Sequence, residues 1–198
     1  MKITQMIVGA IGAFALATGT QAADLKSGDM APDFTVKASD GKTYSLKQFK
    51  GKQAVVIAWF PKAFTPGCTA ECDSFRTTGV EGYTFSMLGG RKFDVKSRKK
   101  GSGLDKYDVA FFTASCDTPE TNARFAKELK LDYPILSDNS TKMAKAYGVI
   151  KGKRPYPARY TFIIGKDGKI LEVDKQKNTA GHGAEVAKKL AKYGVPKK

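Results

Sequence analysis

The sequence predicts an α/β fold in which a mixed central sheet is flanked by helices. Two apolar segments, 54–59 and 109–114, are typical of strands that are buried on both faces of a sheet. Helical patterns follow both segments, and Asp-Gly pairs at 40–41 and 167–168 are typical of hairpin turns. Strands that alternate with helices before a final hairpin and helix favour one sheet covered on both faces.

The individual elements follow in order along the chain. Residues 34–36 and 43–45 flank the first Asp-Gly pair and predict an N-terminal β-hairpin. Thr118 and Pro119 are typical of a helix start, as N-cap and first helical residue. The other predicted elements are a helical turn at 46–49, the helix from Pro119 to about 129, a helix over 139–147, strands over 159–164 and 170–173, and a closing helix over 184–193.

The first 22 residues differ from the rest of the chain. Lys2 precedes an uncharged apolar run over 6–17, and small residues end this run near Ala22. The arrangement predicts a secretory signal peptide over 1–22, and the run is shorter than the ~20 residues that span a bilayer. We therefore expect an exported protein, periplasmic in a bacterium, without stable membrane insertion and with one domain over 26–194.

Charge and cysteine count limit the function classes. The 198 residues include 34 Lys and Arg against 19 Asp and Glu, a net charge of +15. The lysines are spread along the chain without a nucleic-acid-binding motif, which favours a solvated surface and no nucleic-acid partner. Three cysteines in an exported protein leave at least one unpaired or reactive, which favours redox chemistry over a disulfide scaffold.

The loop after the first buried strand carries the strongest functional signal. Pro61, Pro66 and Gly67 interrupt regular structure, and the residues after Gly67 are able to continue as a helix. Cys68 is therefore expected where a helix begins, and unpaired N–H groups and the helix dipole stabilise an anion there. Because such a position favours a thiolate, Cys68 is a candidate nucleophile.

The same loop matches a family motif. Pro61, Thr65 and Cys68 fit the pattern Pro-x-x-x-Thr-x-x-Cys, and Glu71 extends the match. With these residues the chain resembles the peroxiredoxins of the AhpC/TSA superfamily, most closely their bacterioferritin-comigratory, PrxQ-like branch. The resemblance implies a thioredoxin-like fold and a thiol-dependent peroxidase for hydrogen peroxide, organic hydroperoxides or both. It also implies no cofactor and no metal, a thioredoxin-like or other thiol reductant, and a monomer or weak dimer.

The resemblance implies a role for each residue of the motif. Cys68 would be the peroxidatic cysteine, whose thiolate attacks the peroxide. The Thr65 hydroxyl would hydrogen-bond the peroxide, and Pro61 would shield the thiolate from water.

A fixed cation is expected beside the thiolate. The resemblance assigns this role to Arg159, at the start of a predicted strand, and arginine suits it because it stays protonated and offers a fork of donors. Arg154 in the preceding loop is the alternative. By the same analogy, Glu71 would hold an arginine in place.

The thiol that resolves the sulfenic acid stays open at this point. Cys72 is nearest in sequence to Cys68, but an intact helix holds Cβ atoms at i and i+4 about 5–6 Å apart. A disulfide needs about 3.5–4.5 Å, so the first helical turn would have to open. Cys116, at the end of the second buried strand, is the second candidate, and an external thiol is the third.

Two further expectations concern residues outside the motif. The glycine-rich, basic stretch 77–106 is expected to be an insertion that forms a disordered, solvated loop, with a basic arm for an anionic surface as the alternative. His182, the single histidine of the sequence, lies between glycines and is expected to be exposed and without a catalytic role.

A different class of function competes with the peroxidase. Exported copper-binding assembly proteins of the SCO type also combine a Cys-x-x-x-Cys pair with a distal histidine, a set that Cys68, Cys72 and His182 would supply. That alternative leaves Pro61, Thr65 and Arg159 unexplained, so the peroxidase is favoured.

Overall fold

A seven-stranded mixed sheet forms the centre of the computed structural model, which describes residues 24–175 and 178–198. Its strands are β1 (Thr35–Ala38), β2 (Thr43–Ser45), β3 (Ala54–Trp59), β6 (Val109–Ser115), β7 (Ile135–Ser137), β8 (Thr161–Ile164) and β9 (Ile170–Asp174). Their order is β2-β1-β7-β6-β3-β8-β9, with β3, β6 and β7 mutually parallel and the other pairs antiparallel. The predicted α/β class, mixed sheet and N-terminal hairpin are confirmed. The predicted signal peptide, 1–22, lies outside the described residues.

Helices cover both faces of this sheet. Those of the described residues are α1 (Pro66–Ser74), α2 (Pro119–Glu128), α3 (Lys142–Ala146) and α4 (His182–Lys192). The predicted start of α2 is confirmed, since the Thr118 hydroxyl accepts the Thr121 N–H at 3.2 Å and Pro119 follows the cap. α3 is shorter than predicted because Thr141 has a left-handed backbone with φ of 61°, which a helix cannot continue through. The Asp138 carboxylate accepts the Ala144 N–H at 2.7 Å and caps the first turn of the helix.

The alternation of β3 divides the core into two layers. Val55, Ile57 and Trp59 pack on one face with residues of α3. The intervening residues of β3 pack on the other face, where Val186 and Leu190 of α4 meet them. Because every residue of β3 is buried, the strand needs apolar side chains on both faces, as the sequence predicts.

The sheet topology brings the loop 60–65, the end of β6 and the residues before β8 to one edge of the sheet. The carboxyl ends of β3 and β6 share that edge, and the loop 60–65 follows β3 directly. The Ala63 N–H donates to Asp117 Oδ2 at 2.9 Å and ties the loop to the end of β6. β8 runs antiparallel to β3 with Thr161 opposite Ala58, so the residues before β8 reach the same edge.

The prediction of a disordered loop over 77–106 is wrong. Strands β4 (Tyr83–Ser86) and β5 (Lys92–Val95) form an antiparallel hairpin in which Phe85 faces Phe93. Phe85 and Val95 are buried in a third apolar cluster with Phe64 and Phe125. The alternation of apolar and polar residues extends over only a few positions, too short a signal to stand out among glycines and lysines.

The hairpin is also attached to the end of α1. Val80 and Arg98 exchange two backbone hydrogen bonds of 2.9 Å at its base. The Arg98 guanidinium donates to the Asp73 carboxylate and carbonyl in the last turn of α1. Ser102, after the hairpin, donates its hydroxyl to the Phe75 carbonyl at 3.0 Å. We call this set of contacts the Arg98 brace.

None of the helices in the described part of the chain is long and apolar enough to cross a membrane.

Replacing Phe85 tests whether the hairpin belongs to the core. Phe85 is 2% exposed, whereas Leu88 at the hairpin tip is 49% exposed. In urea titrations we expect Phe85→Ala to lower the free energy of unfolding by about 3 kcal/mol, because it leaves a cavity. The matched Leu88→Ala variant should change it by less than about 0.5 kcal/mol. Equally small effects of both substitutions would mean that the hairpin does not pack on the domain.

Candidate active site

Cys68 lies in the first turn of α1, behind a loop that the sequence makes irregular. Thr65 is the N-cap residue in an extended conformation, and Pro66 is the first helical residue. The N–H groups of Gly67 and Cys68 therefore precede the hydrogen-bond ladder of the helix, where they favour a negative charge. The Cys68 side chain is 2% exposed, so these donors act on it with little competition from water.

Phe64 sets the direction in which the loop enters the helix. It has a left-handed backbone with φ of 61°, which is uncommon for a bulky residue. Its ring stacks on Phe85 at 5.8 Å and packs on Phe125 at 5.0 Å, and its carbonyl accepts the Leu88 N–H at 3.1 Å. The hairpin β4–β5 therefore helps to hold a strained residue next to Thr65.

The two other motif residues, Thr65 and Pro61, lie in the loop before α1. The Thr65 hydroxyl donates to the Lys62 carbonyl at 2.9 Å, which orients the hydroxyl and leaves its oxygen lone pairs as acceptors. Pro61 is half-buried at the start of the loop.

Arg159 is the cation that the structure places at the sulfur. Its Nη2 donates to Cys68 Sγ at 3.4 Å, while its Nη1 forms an ion pair with Glu71 Oε2. Arg154, the alternative, is exposed in the loop before β8. Glu71 is 1% exposed and one helical turn after Cys68, so the carboxylate and the sulfur share the guanidinium.

The pairing of β8 with β3 explains how Arg159 reaches Cys68 across 91 residues of sequence. The Trp59 N–H donates to the Tyr160 carbonyl at 2.9 Å, which extends the β3–β8 pairing beyond Thr161. Arg159 precedes Tyr160 and therefore lies beside the loop 60–65, which follows Trp59.

The expectation that His182 is exposed is wrong. Its side chain is 0% exposed, and its Nδ1 lies 2.8 Å from Glu71 Oε1. Its Nε2 lies 3.3 Å from Thr161 Oγ1 and 3.6 Å from Asp174 Oδ2. Gly183 permits this burial, because a Cβ atom there would lie 2.2 Å from the Ser74 carbonyl oxygen of α1.

A sequence signal for the burial of His182 was present. α4 begins at His182, two residues earlier than predicted, and His182, Val186 and Leu190 recur at intervals of four. These three residues are all buried on one face of the helix. The flanking glycines instead favoured a loop, which concealed the first turn.

The electrostatics of His182 favour its charged form. Burial opposes a charge on the ring, but the nearby Asp174 and Glu71 carboxylates outweigh it, so the pKa of His182 is raised. The His182 ring and the neighbouring Lys189 in turn hold the pKa of Asp174 below its usual value.

The other two cysteines are in different environments. Cys72 is fully buried one turn after Cys68, and burial, with the nearby charges of Glu71 and Cys68, raises its pKa well above the usual value. Cys116 is half-buried after β6 and packs with the apolar cluster of the α3 face, apart from the cluster that contains Cys68 and Cys72. Burial and two carboxylates, those of Asp138 and Asp117, raise the pKa of Cys116 to about 12.

The copper-binding alternative needs His182 as a ligand, and both its ring nitrogens face protein partners. Within 24–175 and 178–198, no group of three or more His, Cys, Asp or Glu side chains is arranged to hold a metal ion.

Comparison with known proteins identifies the family. A profile of the AhpC/TSA family matches residues 27–81 and 96–173. Peroxiredoxin Bcp of Escherichia coli K12 is 32% identical over 164 residues, which are 80% of this chain and 90% of that protein. The chain belongs to the AhpC/TSA family. The residues between the two matched segments, 82–95, contain strands β4 and β5.

Other relatives confirm the branch and the fold. The chloroplastic peroxiredoxin Q of Gentiana triflora is 32% identical over 149 residues, 75% of this chain and 58% of that protein. The crystal structure of peroxidoxin BcpB from Mycobacterium tuberculosis is 27% identical and has a TM-score of 0.65 over 85% of this chain and 97% of that one. The predicted thioredoxin-like fold and PrxQ-like branch are thereby confirmed, and the enzyme is an oxidoreductase of the peroxidase class.

The raised pKa of His182 predicts how stability depends on pH. The folded-state pKa lies above the ordinary value of 6.5, so charged His182 stabilises the fold fully below that value. This contribution is lost as the pH rises through the folded-state pKa. In a Cys68→Ser background, which removes the reactive thiol, the loss of unfolding free energy caused by His182→Asn should therefore be larger at about pH 6 than at about pH 9. Denaturant titrations at both pH values measure it, and a loss that grows with pH would contradict the assignment.

Proposed function

We propose that the protein is an exported thiol peroxidase that reduces hydrogen peroxide, organic hydroperoxides or both at Cys68. The observation that carries the proposal is the Arg159 Nη2 atom 3.4 Å from Cys68 Sγ, at the first turn of α1. A cation and free helix N–H groups around one buried sulfur favour the thiolate that attacks a peroxide.

The proposed reaction begins with attack of the Cys68 thiolate on one peroxide oxygen. The O–O bond breaks, the sulfur becomes a sulfenic acid, and the second oxygen leaves as hydroxide or alkoxide and takes up a proton. The Thr65 oxygen is an acceptor for the peroxide O–H, and Pro61 limits the access of water. Arg159 and the helix N–H groups stabilise the negative charge that moves from sulfur to the leaving oxygen.

For the second step, we propose Cys72 as the resolving thiol. Its sulfur displaces the hydroxyl of the sulfenic acid, which gives a Cys68–Cys72 disulfide and water. The support is that both residues lie in one helix and one apolar cluster, whereas Cys116 packs in another cluster. The helical spacing requires the first turns of α1 to open, and the Arg98 brace holds the last turn in place.

A thioredoxin-like or other thiol donor would then supply two electrons and return both cysteines to thiols. We infer export to the periplasm from the apolar, uncharged run in 1–22, and cleavage near Ala22 is testable by sequencing the N-terminus of the mature protein. For the assembly we propose a monomer or weak dimer, which sedimentation measures.

Substitution of the cation and the nucleophile tests the proposed chemistry. Cys68→Ser should abolish peroxide consumption, because the hydroxyl does not ionise near neutral pH. Arg159→Gln should lower the second-order rate with hydrogen peroxide by about 10²-fold or more, the usual effect of losing one donor to a developing negative charge. Arg154→Gln is the matched control and should leave the rate unchanged. Full activity of Cys68→Ser would refute the proposal.

Mass spectrometry after one equivalent of peroxide tests the resolving step. We expect a Cys68–Cys72 disulfide. The Arg98→Ala variant should form this disulfide several-fold faster, because it lacks the charge-assisted hydrogen bonds, of about 1.5–3 kcal/mol, that hold the end of α1. Lys99→Ala, which removes an exposed neighbouring charge, should not change the rate. A Cys68–Cys116 disulfide, or an oxidised Cys68 without a disulfide, would exclude Cys72.

A further inference from the structure

A row of alternating charges, buried at Glu71 and His182, leads from Cys68 to helix α4. Arg159 contacts both the Cys68 sulfur and Glu71 Oε2. The second oxygen of Glu71, Oε1, lies 2.8 Å from His182 Nδ1. On the far side of the ring, Asp174 Oδ2 lies 3.6 Å from Nε2 and 2.7 Å from Lys189 Nζ. The reaction proposed above uses Arg159 directly and leaves His182 without a role.

The burial of Glu71 makes the histidine contact necessary. A carboxylate that is 1% exposed has almost no water to bind, so each of its oxygens needs a donor from the protein. An ionised carboxylate only accepts hydrogen bonds, and therefore His182 Nδ1 carries a proton. Nε2 is left to accept from the Thr161 hydroxyl when the ring is neutral, or to face Asp174 as a donor when it is charged.

This arrangement divides the donors of Arg159 between two partners. One terminal nitrogen binds Glu71 Oε2 and the other binds the Cys68 sulfur. Without a donor from His182, Oε1 of Glu71 is unsatisfied. The geometry most favourable to an arginine and a carboxylate is then a pair of parallel hydrogen bonds, which engages both terminal nitrogens. Such a pair removes the donor from the sulfur.

We infer that His182 is a positioning residue of the thiol site, which occupies Glu71 Oε1 and so keeps one nitrogen of Arg159 on Cys68. The inference rests on the proposed role of Cys68 and adds to it a residue 111 positions from Glu71 in sequence. His182 acts through Glu71 and Arg159 and does not contact the peroxide.

Two neutral substitutions of His182 separate this role from simple packing. The amide nitrogen of His182→Asn occupies nearly the place of Nδ1 and is able to donate to Glu71. The longer side chain of His182→Gln places its amide near Nε2, towards Thr161 and Asp174. The two rates to measure are the second-order reaction of Cys68 with hydrogen peroxide and its alkylation by iodoacetamide at neutral pH, followed by mass spectrometry of the Cys68 peptide.

We expect His182→Gln to lose about tenfold or more in both rates, because a charge-assisted hydrogen bond is lost, and His182→Asn to stay within about threefold of the unsubstituted protein. Val186→Ala is the matched control, since Val186 is buried one turn further along α4 and packs in the apolar cluster of that face. It should lower the unfolding midpoint while both rates stay within about twofold. Equal losses in Asn and Gln variants, or no loss in either, would overturn the inference.

A measurement on the unsubstituted protein keeps the inference testable if these variants fail to fold. Because the sequence contains one histidine, its ¹⁵N spectrum reports His182 alone. A proton on Nδ1 at every pH where the protein is folded is expected, and a neutral ring protonated only on Nε2 would overturn the inference. If the unsubstituted protein did not turn over peroxide, but the alkylation rates of His182→Asn and His182→Gln still differed, the proposed function would be refuted. The positioning role of His182 would then remain supported.

Discussion

The buried carboxylate of Glu71 is the constraint on which the site depends. It lies inside the protein with almost no exposure and needs a donor for each oxygen, one from Arg159 and one from His182. These donors come from Arg159, two residues before β8, and from the first residue of α4, while Glu71 itself belongs to α1. Satisfying one carboxylate therefore fixes three segments relative to each other and places a guanidinium against the Cys68 sulfur.

The surrounding fold supplies what this cluster requires. The edge shared by β3 and β6 holds the loop that begins α1, and the antiparallel pairing of β8 returns Arg159 to it. Gly183 lets the start of α4 approach Ser74 closely enough to bury His182. The positive end of α1 and the arginine then act on a sulfur that water scarcely reaches, where electrostatic interactions are stronger than at the surface.

The hairpin β4–β5 gives this chain a feature outside the matched family profile. Phe85 of the hairpin packs against Phe64 in the loop that precedes Cys68. At the base of the hairpin, Arg98 binds Asp73 in the last turn of α1. Both contacts favour the closed helix that keeps the cysteine beside Arg159. A Cys68–Cys72 disulfide needs the same helix to open, so the hairpin opposes the second proposed step while it supports the first.

Local patterns in the sequence were sufficient for the α/β class, the hairpin at Asp40-Gly41, the start of α2 and the loop that presents Cys68. Proline, glycine and capping residues affect the backbone within a few positions of themselves. Strands that are buried on both faces are recognisable from an uninterrupted run of apolar residues. The motif also indicated Thr65 and Glu71, and the family resemblance indicated Arg159. The sequence did not reveal that residues 77–106 contain an ordered hairpin. Its short strands are stabilised by packing on Phe64 and Phe125, which lie elsewhere in the chain.

The sequence by itself determined which residue is the candidate nucleophile and which elements lead up to it. Tertiary structure alone decided how the buried charges are paired. Glu71 meets Arg159 across 88 residues and His182 across 111, and the glycines beside His182 suggested an exposed loop when read locally. A charged group is buried only where partners from elsewhere in the chain compensate its lost hydration, and those partners have no signature in the local sequence.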